Sequence, residues 1–299
     1  MIYLSGATGH IGNNTARYFL THNIEITLLI RTVQLAIEDL PFPTLKGDLF
    51  SDQFLDSILH EGDIFIHMAG VIDLSKKNRS QAEFVNVTGT ERIVDACVRH
   101  GVFLIFASSV DAINKPLTNT LISEPDGFDI DALKSHYSKS KAKGTAYVLD
   151  ALSKGILHGA IVYPSAVIGI NDFKPSAAGR QIYKASKHWL LPKIKGGYNF
   201  VDVVDCAAAI YHIATRRIEG SFILAGHEKT LNDVYQTIKA ITHKKKWILP
   251  VPTVFAYVGC LFLKHITPVM IDALRENYHY DTSRMKSVLG VQPKAFEQT

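Results

Sequence analysis

Ser5-Gly6-Ala7-Thr8-Gly9-His10-Ile11-Gly12 stands directly behind a short apolar run, residues 2–4, and ahead of a stretch, residues 12–20, that reads as a helix. Glycines at 6, 9 and 12 let the backbone turn tightly, approach a pyrophosphate and seat the helix on a sheet. The amino end of that helix offers free N–H groups and a partial positive charge to phosphate oxygens. The spacing is GxxGxxG, looser than the GxGxxG of many dinucleotide sites, so its place between strand and helix carries the reading. Gly6, Thr8, Gly9, His10, Ile11 and Gly12 are therefore candidate cofactor contacts.

Outward from this loop, short apolar runs alternate with helix-like segments. Residues 25–30 (EITLLI), 44–46, 63–68 (DIFIHM), 102–107 (VFLIFA), 159–163 (GAIVY) and 221–224 read as strands. Residues 81–99 and 136–152 carry apolar side chains at three- and four-residue spacing and read as amphipathic helices. Right-handed crossovers turn such an order into an α/β fold with a doubly wound parallel sheet. After about residue 168 the rhythm changes. Residues 171–197 hold Pro175, Gly179, Pro192 and Gly196-Gly197 and read as irregular with one short helix. Residues 200–215 return to a strand and helix, and 230–299 read as mostly helical. The expected division is a dinucleotide-binding domain of residues 1–167 and 199–226. A smaller, mostly helical substrate lobe, residues 168–198 and 227–299, would cover the carboxyl ends of the strands.

Composition narrows the classes further. With 299 residues, 47% hydrophobic and 20% charged, the chain is neither a disordered tail nor a disulfide-stapled mini-protein. A net charge of +4 is far below that of a dedicated nucleic-acid binder. Cys97, Cys206 and Cys260 form no CxxC and read as reduced thiols; with no charged leader at the start, a cytoplasmic protein is expected. The thirteen histidines include no HExxH and no ligand spacing, so no metal is expected. Residues 247–263 are uncharged, but they number 17 and Pro250 and Pro252 break their start. They read as an apolar helix over a pocket, not a membrane span, with weak peripheral membrane contact as the alternative. Arg180, Lys184, Lys187, Lys193 and Lys195 read as a solvated basic surface. Lys244, Lys245 and Lys246 follow a helical pattern and suit a helix carboxyl end.

The cofactor preference turns on the end of the second strand. A carboxylate there would accept from an adenine ribose, and an arginine would pair with a 2′-phosphate. Arg31-Thr32 stands there, with no carboxylate until Glu38, which favours NADP(H) over NAD(H). Ser108-Ser109 follows the strand 102–107, and Tyr137 and Lys141 lie four apart on one helix face. An ammonium and an oxidised nicotinamide both favour tyrosinate, so Tyr137 is expected below the ordinary value of about 10. It can then exchange a proton with a substrate oxygen that a serine hydroxyl polarises.

With these residues in place the sequence resembles the extended short-chain dehydrogenase/reductase, or NAD(P)-dependent epimerase/dehydratase, family over nearly its whole length. The resemblance rests on SGATGHIG, Gly47-Asp48-Leu49, His67-Met68-Ala69-Gly70, Asn86-Val87-Thr88-Gly89-Thr90, the segments 163–169 and 198–205, and Asp281-Thr282-Ser283. It implies a Rossmann sheet. It also implies Asp48 and Leu49 near the adenine, Ala69 and Gly70 beside a ribose, and Pro164 lining the nicotinamide pocket. Ser109, Tyr137 and Lys141 would be catalytic, with Lys141 also on the nicotinamide ribose. The chain is most similar to the dihydroflavonol 4-reductase and 3β-hydroxysteroid dehydrogenase branch. Tyr163, where nucleotide-sugar enzymes usually carry arginine, and Tyr198 depart from the nucleotide-sugar pattern. The expectation is an NADP(H)-dependent oxidoreductase interconverting a ketone and a secondary alcohol on a small, fairly apolar molecule. The alternatives are an NAD-dependent nucleotide-sugar epimerase or dehydratase and a non-catalytic redox sensor. A homodimer through the helices 81–99 and 136–152 is also implied.

Overall fold

Short apolar runs lie side by side in a computed structural model of the chain, which describes residues 1–32, 35–72, 79–115, 120–262, 271, 274 and 279–299. The strands are β1 (Ile2–Ser5), β2 (Thr27–Ile30), β3 (Thr44–Lys46), β4 (Ile64–His67), β5 (Phe103–Ala107) and β6 (Gly159–Pro164). They continue as β7 (Ala166–Ile168), β8 (Leu190–Lys193), β9 (Gly197–Asp202), β10 (Gly220–Leu224), β11 (His227–Thr230) and β12 (Trp247–Pro250). Seven of them form one sheet in the order β10-β6-β5-β4-β1-β2-β3, every pair parallel. This is the expected doubly wound sheet. The chain runs from β1 outward to β3, then crosses back to β4 on the other side of β1. The switch point, where ligands bind in such sheets, therefore lies at the carboxyl ends of β1 and β4.

Both faces of the sheet are apolar, as a parallel sheet covered on both sides requires. Successive strand residues go to opposite sides. Leu4, Ile66, Ile105 and Val162 pack with Phe19 and Ile210 on one face. Tyr3, Phe65, Leu104 and Ile161 pack with Leu55, Ile93 and Val148 on the other. The first face is covered by α1 (His10–Thr21) and α7 (Val203–Arg216). The second takes α2 (Asp52–Ile58), α4 (Gly89–His100), which follows α3 (Arg79–Glu83), and α5 (His136–Ser153). The expected helix 81–99 is in fact α3 and α4 joined by a π turn, Phe84–Thr88.

Outside this layer β9 and α7 are the strand and helix expected at 200–215, whereas β7, β8, β11 and β12 are strands that the sequence reading lacks. β11, β9 and β7 make a three-stranded sheet, and β12 pairs with β8. The remaining helices are α6 (Ala177–Lys187), α8 (Leu231–Thr242) and α9 (Thr253–Phe262), with a short turn of helix at Ser283–Ser287. The apolar stretch expected as one helix from 247 is β12 followed by α9. Its last residue, Leu263, lies outside the described residues, as does the Cys260 side chain. Cys97 and Cys206 are buried and free. Among the described residues no helix is long and apolar enough to cross a membrane.

Candidate active site

Gly6 follows β1 in the left-handed region, φ +79°, where a side chain is strained. A Cβ at this position would lie 2.6 Å from the Ala69 nitrogen and from the Met68 carbonyl carbon, so the glycine loop and the end of β4 touch here. At Gly12 a Cβ would strike the Gly6 carbonyl oxygen, which fixes how closely α1 seats on the loop. Between them Gly9 donates its N–H to the Gly6 carbonyl at 2.8 Å and caps α1 without a side-chain bond. By contrast α2, α5, α6, α7 and α8 have side-chain caps at Ser51, Ser135, Ser176, Asp202 and Thr230. The first-turn N–H groups of α1, on His10, Ile11 and Gly12, thus have no side-chain acceptor of this kind. That cradle fits a diphosphate.

The other expected cofactor residues are placed as follows. Thr8 is half-buried in the loop. The His10 imidazole is committed elsewhere: its Nε2 bonds the Ile170 carbonyl at 2.9 Å, leaving the backbone N–H as its contribution. Arg31 is exposed directly after β2, with no carboxylate partner among the described residues. Asp48 follows β3 and turns its carboxylate onto the Phe50 N–H at 3.0 Å, while Leu49 is buried in the core. Ala69 and Gly70 continue β4 beside the glycine loop. Pro164 ends β6, buried against β10.

The reactive group gathers at the end of β5. Ser108 faces inward and shares a hydrogen bond of 2.7 Å with Thr145. Ser109, one residue on, is only half-buried and caps a tight turn, its Oγ accepting from the Asp111 N–H at 3.1 Å. Tyr137 lies in the first turn of α5, which Ser135 starts by accepting from the Ser138 N–H at 2.9 Å. Burial pushes the Tyr137 phenol above its ordinary value; the Asp111 carboxylate adds to this, and a hydrogen bond with Ser109 opposes it. The Lys141 ammonium, one of the two groups expected to lower it, does not offset burial. One turn along, the Lys141 ammonium is buried, donates to the Ala107 carbonyl at 2.7 Å and lies 4.7 Å from the centre of the Phe106 ring. Burial lowers it to about 8. A Cβ on Gly70 would lie 3.8 Å from this ammonium, so Lys141 sits beside the end of β4 and the glycine loop.

Three further residues shape this site, and the sequence analysis gives none of them a role. Asn86, aimed inward from the π turn, accepts from the Val71 N–H at 3.0 Å and donates to the Val71 carbonyl at 2.9 Å. Its amide also donates to Ser140 Oγ at 3.0 Å, so one side chain ties the end of β4 to α5. His67, the last residue of β4, is buried with Nδ1 2.7 Å from Ser5 Oγ. Burial first and Lys141 second hold its imidazole neutral, down to about 3. Asp111 lies near enough to act on both Tyr137 and Tyr198. The motif stretches flagged the positions of His67 and Asn86 without revealing what they touch. Among the described residues no cluster of His, Cys, Asp or Glu could hold a metal ion.

Comparison with known proteins bears on the family and the fold. A Synechocystis sp. protein bearing the provisional name dihydroflavonol 4-reductase is 26% identical, the match covering 99% of this chain and 91% of that protein. Sterol demethylase protein B of Methylococcus capsulatus is 24% identical over 97% of this chain and 93% of its own. Among solved structures, gox2253 superposes with a TM-score of 0.87 at 23% identity, covering 100% of this chain and 94% of the other. MoeE5 in complex with UDP-glucose and NAD gives 0.75 at 18%, covering 99% and 95%; both likenesses bear on the fold. The profile of the NAD-dependent epimerase/dehydratase family matches residues 2–225. The chain belongs to this family, as an NAD(P)-dependent oxidoreductase of the extended short-chain dehydrogenase/reductase type.

Proposed function

We propose that the protein reduces a ketone to a secondary alcohol, or runs the reverse, on a small and fairly apolar molecule. The observation that carries this reading is the hydrogen bond between Ser109 and Tyr137, with the Lys141 ammonium one helical turn along and beside Gly70. A nicotinamide dinucleotide supplies or accepts the hydride when bound. The protein's own residues do the rest. Ser109 donates a hydrogen bond to the substrate oxygen and polarises the carbonyl. Tyr137, held protonated by burial, gives that oxygen its proton in the reductive direction. Lys141, fixed in place by the Ala107 carbonyl and beside Gly70, brings a positive charge to the nicotinamide ribose side of the site. The uncapped start of α1 would hold the cofactor's diphosphate, and the outer segments, residues 168–198 and 227–299, form the substrate lobe.

Arg31 supports a preference for NADP(H), since an exposed guanidinium at the end of β2 is shaped to pair with a 2′-phosphate. Two departures favour an apolar substrate over a nucleotide sugar. Tyr163, in the place of an arginine, is wholly buried in the core, and Tyr198 offers no guanidinium for a diphosphate. A homodimer through the outer faces of α4 and α5 completes the reading. The test is a pair of equilibrium titrations with NADPH and NADH, repeated on Arg31→Ala. The expected result is tighter NADPH binding that weakens about tenfold in the variant while NADH is unchanged. Equal affinities in the unaltered protein would remove the preference.

A further inference from the structure

The small sheet of β8 and β12 has two unlike faces. Alternation turns Leu191 inward, where it is buried, with Ile248 on the same side. The parallel register then sets Trp247 beside Leu190 and Leu249 beside Pro192 on the opposite face. That face is open: Trp247 is 71% exposed and Leu249 51%. Trp189, one residue ahead of β8, is 67% exposed, and the first turn of α9 adds Phe255 at 66%. Single exposed apolar residues are ordinary, but several grouped around one open sheet face mark a contact surface. The chain has only two tryptophans, and both are here.

The two segments of chain that carry this sheet are basic. Residues 173–201 and 234–271 hold eleven lysines and arginines and no aspartate or glutamate. Subtracting these eleven from the whole-chain +4 leaves −7 on the remainder, so these two segments carry the chain's excess of positive charge. Lys187, Lys244 and Lys245 are exposed just ahead of the two strands. Lys246 differs from them and corrects the reading of the three as one helix end. α8 stops at Thr242, with His243 left-handed at φ 53°. The buried Lys246 ammonium instead donates to the carbonyls of Ala185 at 2.8 Å, Ser186 at 3.0 Å and His188 at 2.8 Å. It thereby pins the end of α6 to the start of β12 and holds the face in shape.

We propose that this face docks on the surface of an anionic lipid bilayer. Indoles settle at the level of the headgroups, aliphatic side chains reach below them, and the rim lysines meet anionic lipid. The protein would lie on the membrane without crossing it. A second copy of the chain is a poorer occupant, because a two-fold contact would set the same lysines against each other. A nucleic acid would answer the cations but leave Leu190, Pro192 and Leu249 without a partner. This inference stands on the surface alone and is independent of the redox reading.

Tryptophan emission of the intact protein tests it, since Trp247 stands on the face and Trp189, whose carbonyl accepts from the Trp247 N–H at 2.8 Å, lies at the same end of the sheet. Vesicles of phosphatidylcholine containing phosphatidylglycerol are expected to shift emission to the blue and carry the protein down on sedimentation. Pure phosphatidylcholine should do so far less. Leu249→Glu and, separately, Phe255→Ser should abolish the shift. Lys244→Glu combined with Lys245→Glu should weaken vesicle affinity about tenfold or more. Three results would overturn the proposal: no response to anionic vesicles, lipid-free self-association that Leu249→Glu abolishes, or RNA binding that both apolar variants retain in place of vesicle binding.

Discussion

The ends of β1, β4 and β5 and the β8–β12 sheet treat their side chains in opposite ways. In the first region polar groups are buried and tied: Lys141 to Ala107, Asn86 to Val71 and Ser140, His67 to Ser5. In the second, apolar groups stand in the open between cations, and the one buried lysine is spent on holding the sheet. The difference separates two tasks. A site that moves a proton needs its groups fixed before the substrate arrives, because reorganisation in the transition state is what it must avoid. A surface that meets a partner leaves its apolar groups uncovered until the partner is there.

The largest effect is expected at the centre of the first region. Tyr137→Phe should lower turnover about a thousandfold, with dinucleotide affinity kept, as parallel kinetics and titration would reveal. Retained turnover would break the contrast, since the buried hydroxyl would then have no chemical task. Gly6→Ala should cost about 2 kcal/mol or more in denaturant unfolding, from a left-handed φ and a contact with the Ala69 backbone.

His67 gives the first region an acid weakness. In the unfolded chain its imidazole takes up a proton near 6.5, whereas in the fold it does so only at about 3. The unfolded state binds more protons in that window, so stability falls as pH drops from 6.5 toward 3. The slope from this group reaches about 1.4 kcal/mol per pH unit, and His67→Asn should flatten it in urea unfolding at stepped pH. In the second region Leu249→Glu, on an open face, should change stability by no more than about 0.5 kcal/mol. A much larger loss would mean that the face is covered within the chain, which sharpens the comparison at its weaker end.

The central layer was legible because each of its elements leaves a pattern in the residues. The glycine spacing sits where β1 gives way to α1, and strands buried on both faces read as unbroken apolar runs such as VFLIFA. Tyr137 and Lys141 were legible by their four-residue spacing on α5. What they touch was not. The lowering expected of Lys141 at Tyr137 is outweighed by burial of the phenol, to which the Asp111 carboxylate adds. The π turn that aims Asn86 has no periodicity of its own and is hidden inside a helical stretch. β8 and β12 are short and punctuated by Pro192 and Pro250, so the apolar run from 247 carries a helix-like pattern although its first four residues pair with β8.

The account rests most heavily on a hydride that passes between a dissociable cofactor and a released product. It is tested by incubating the protein with NADPH deuterated at the transferable position and a panel of apolar ketones, then analysing product and cofactor by mass. The account predicts one deuterium in the released alcohol for each NADP formed, and none with Tyr137→Phe. Tightly held dinucleotide with no net oxidation, and a nucleotide sugar inverted or dehydrated without label, would contradict it.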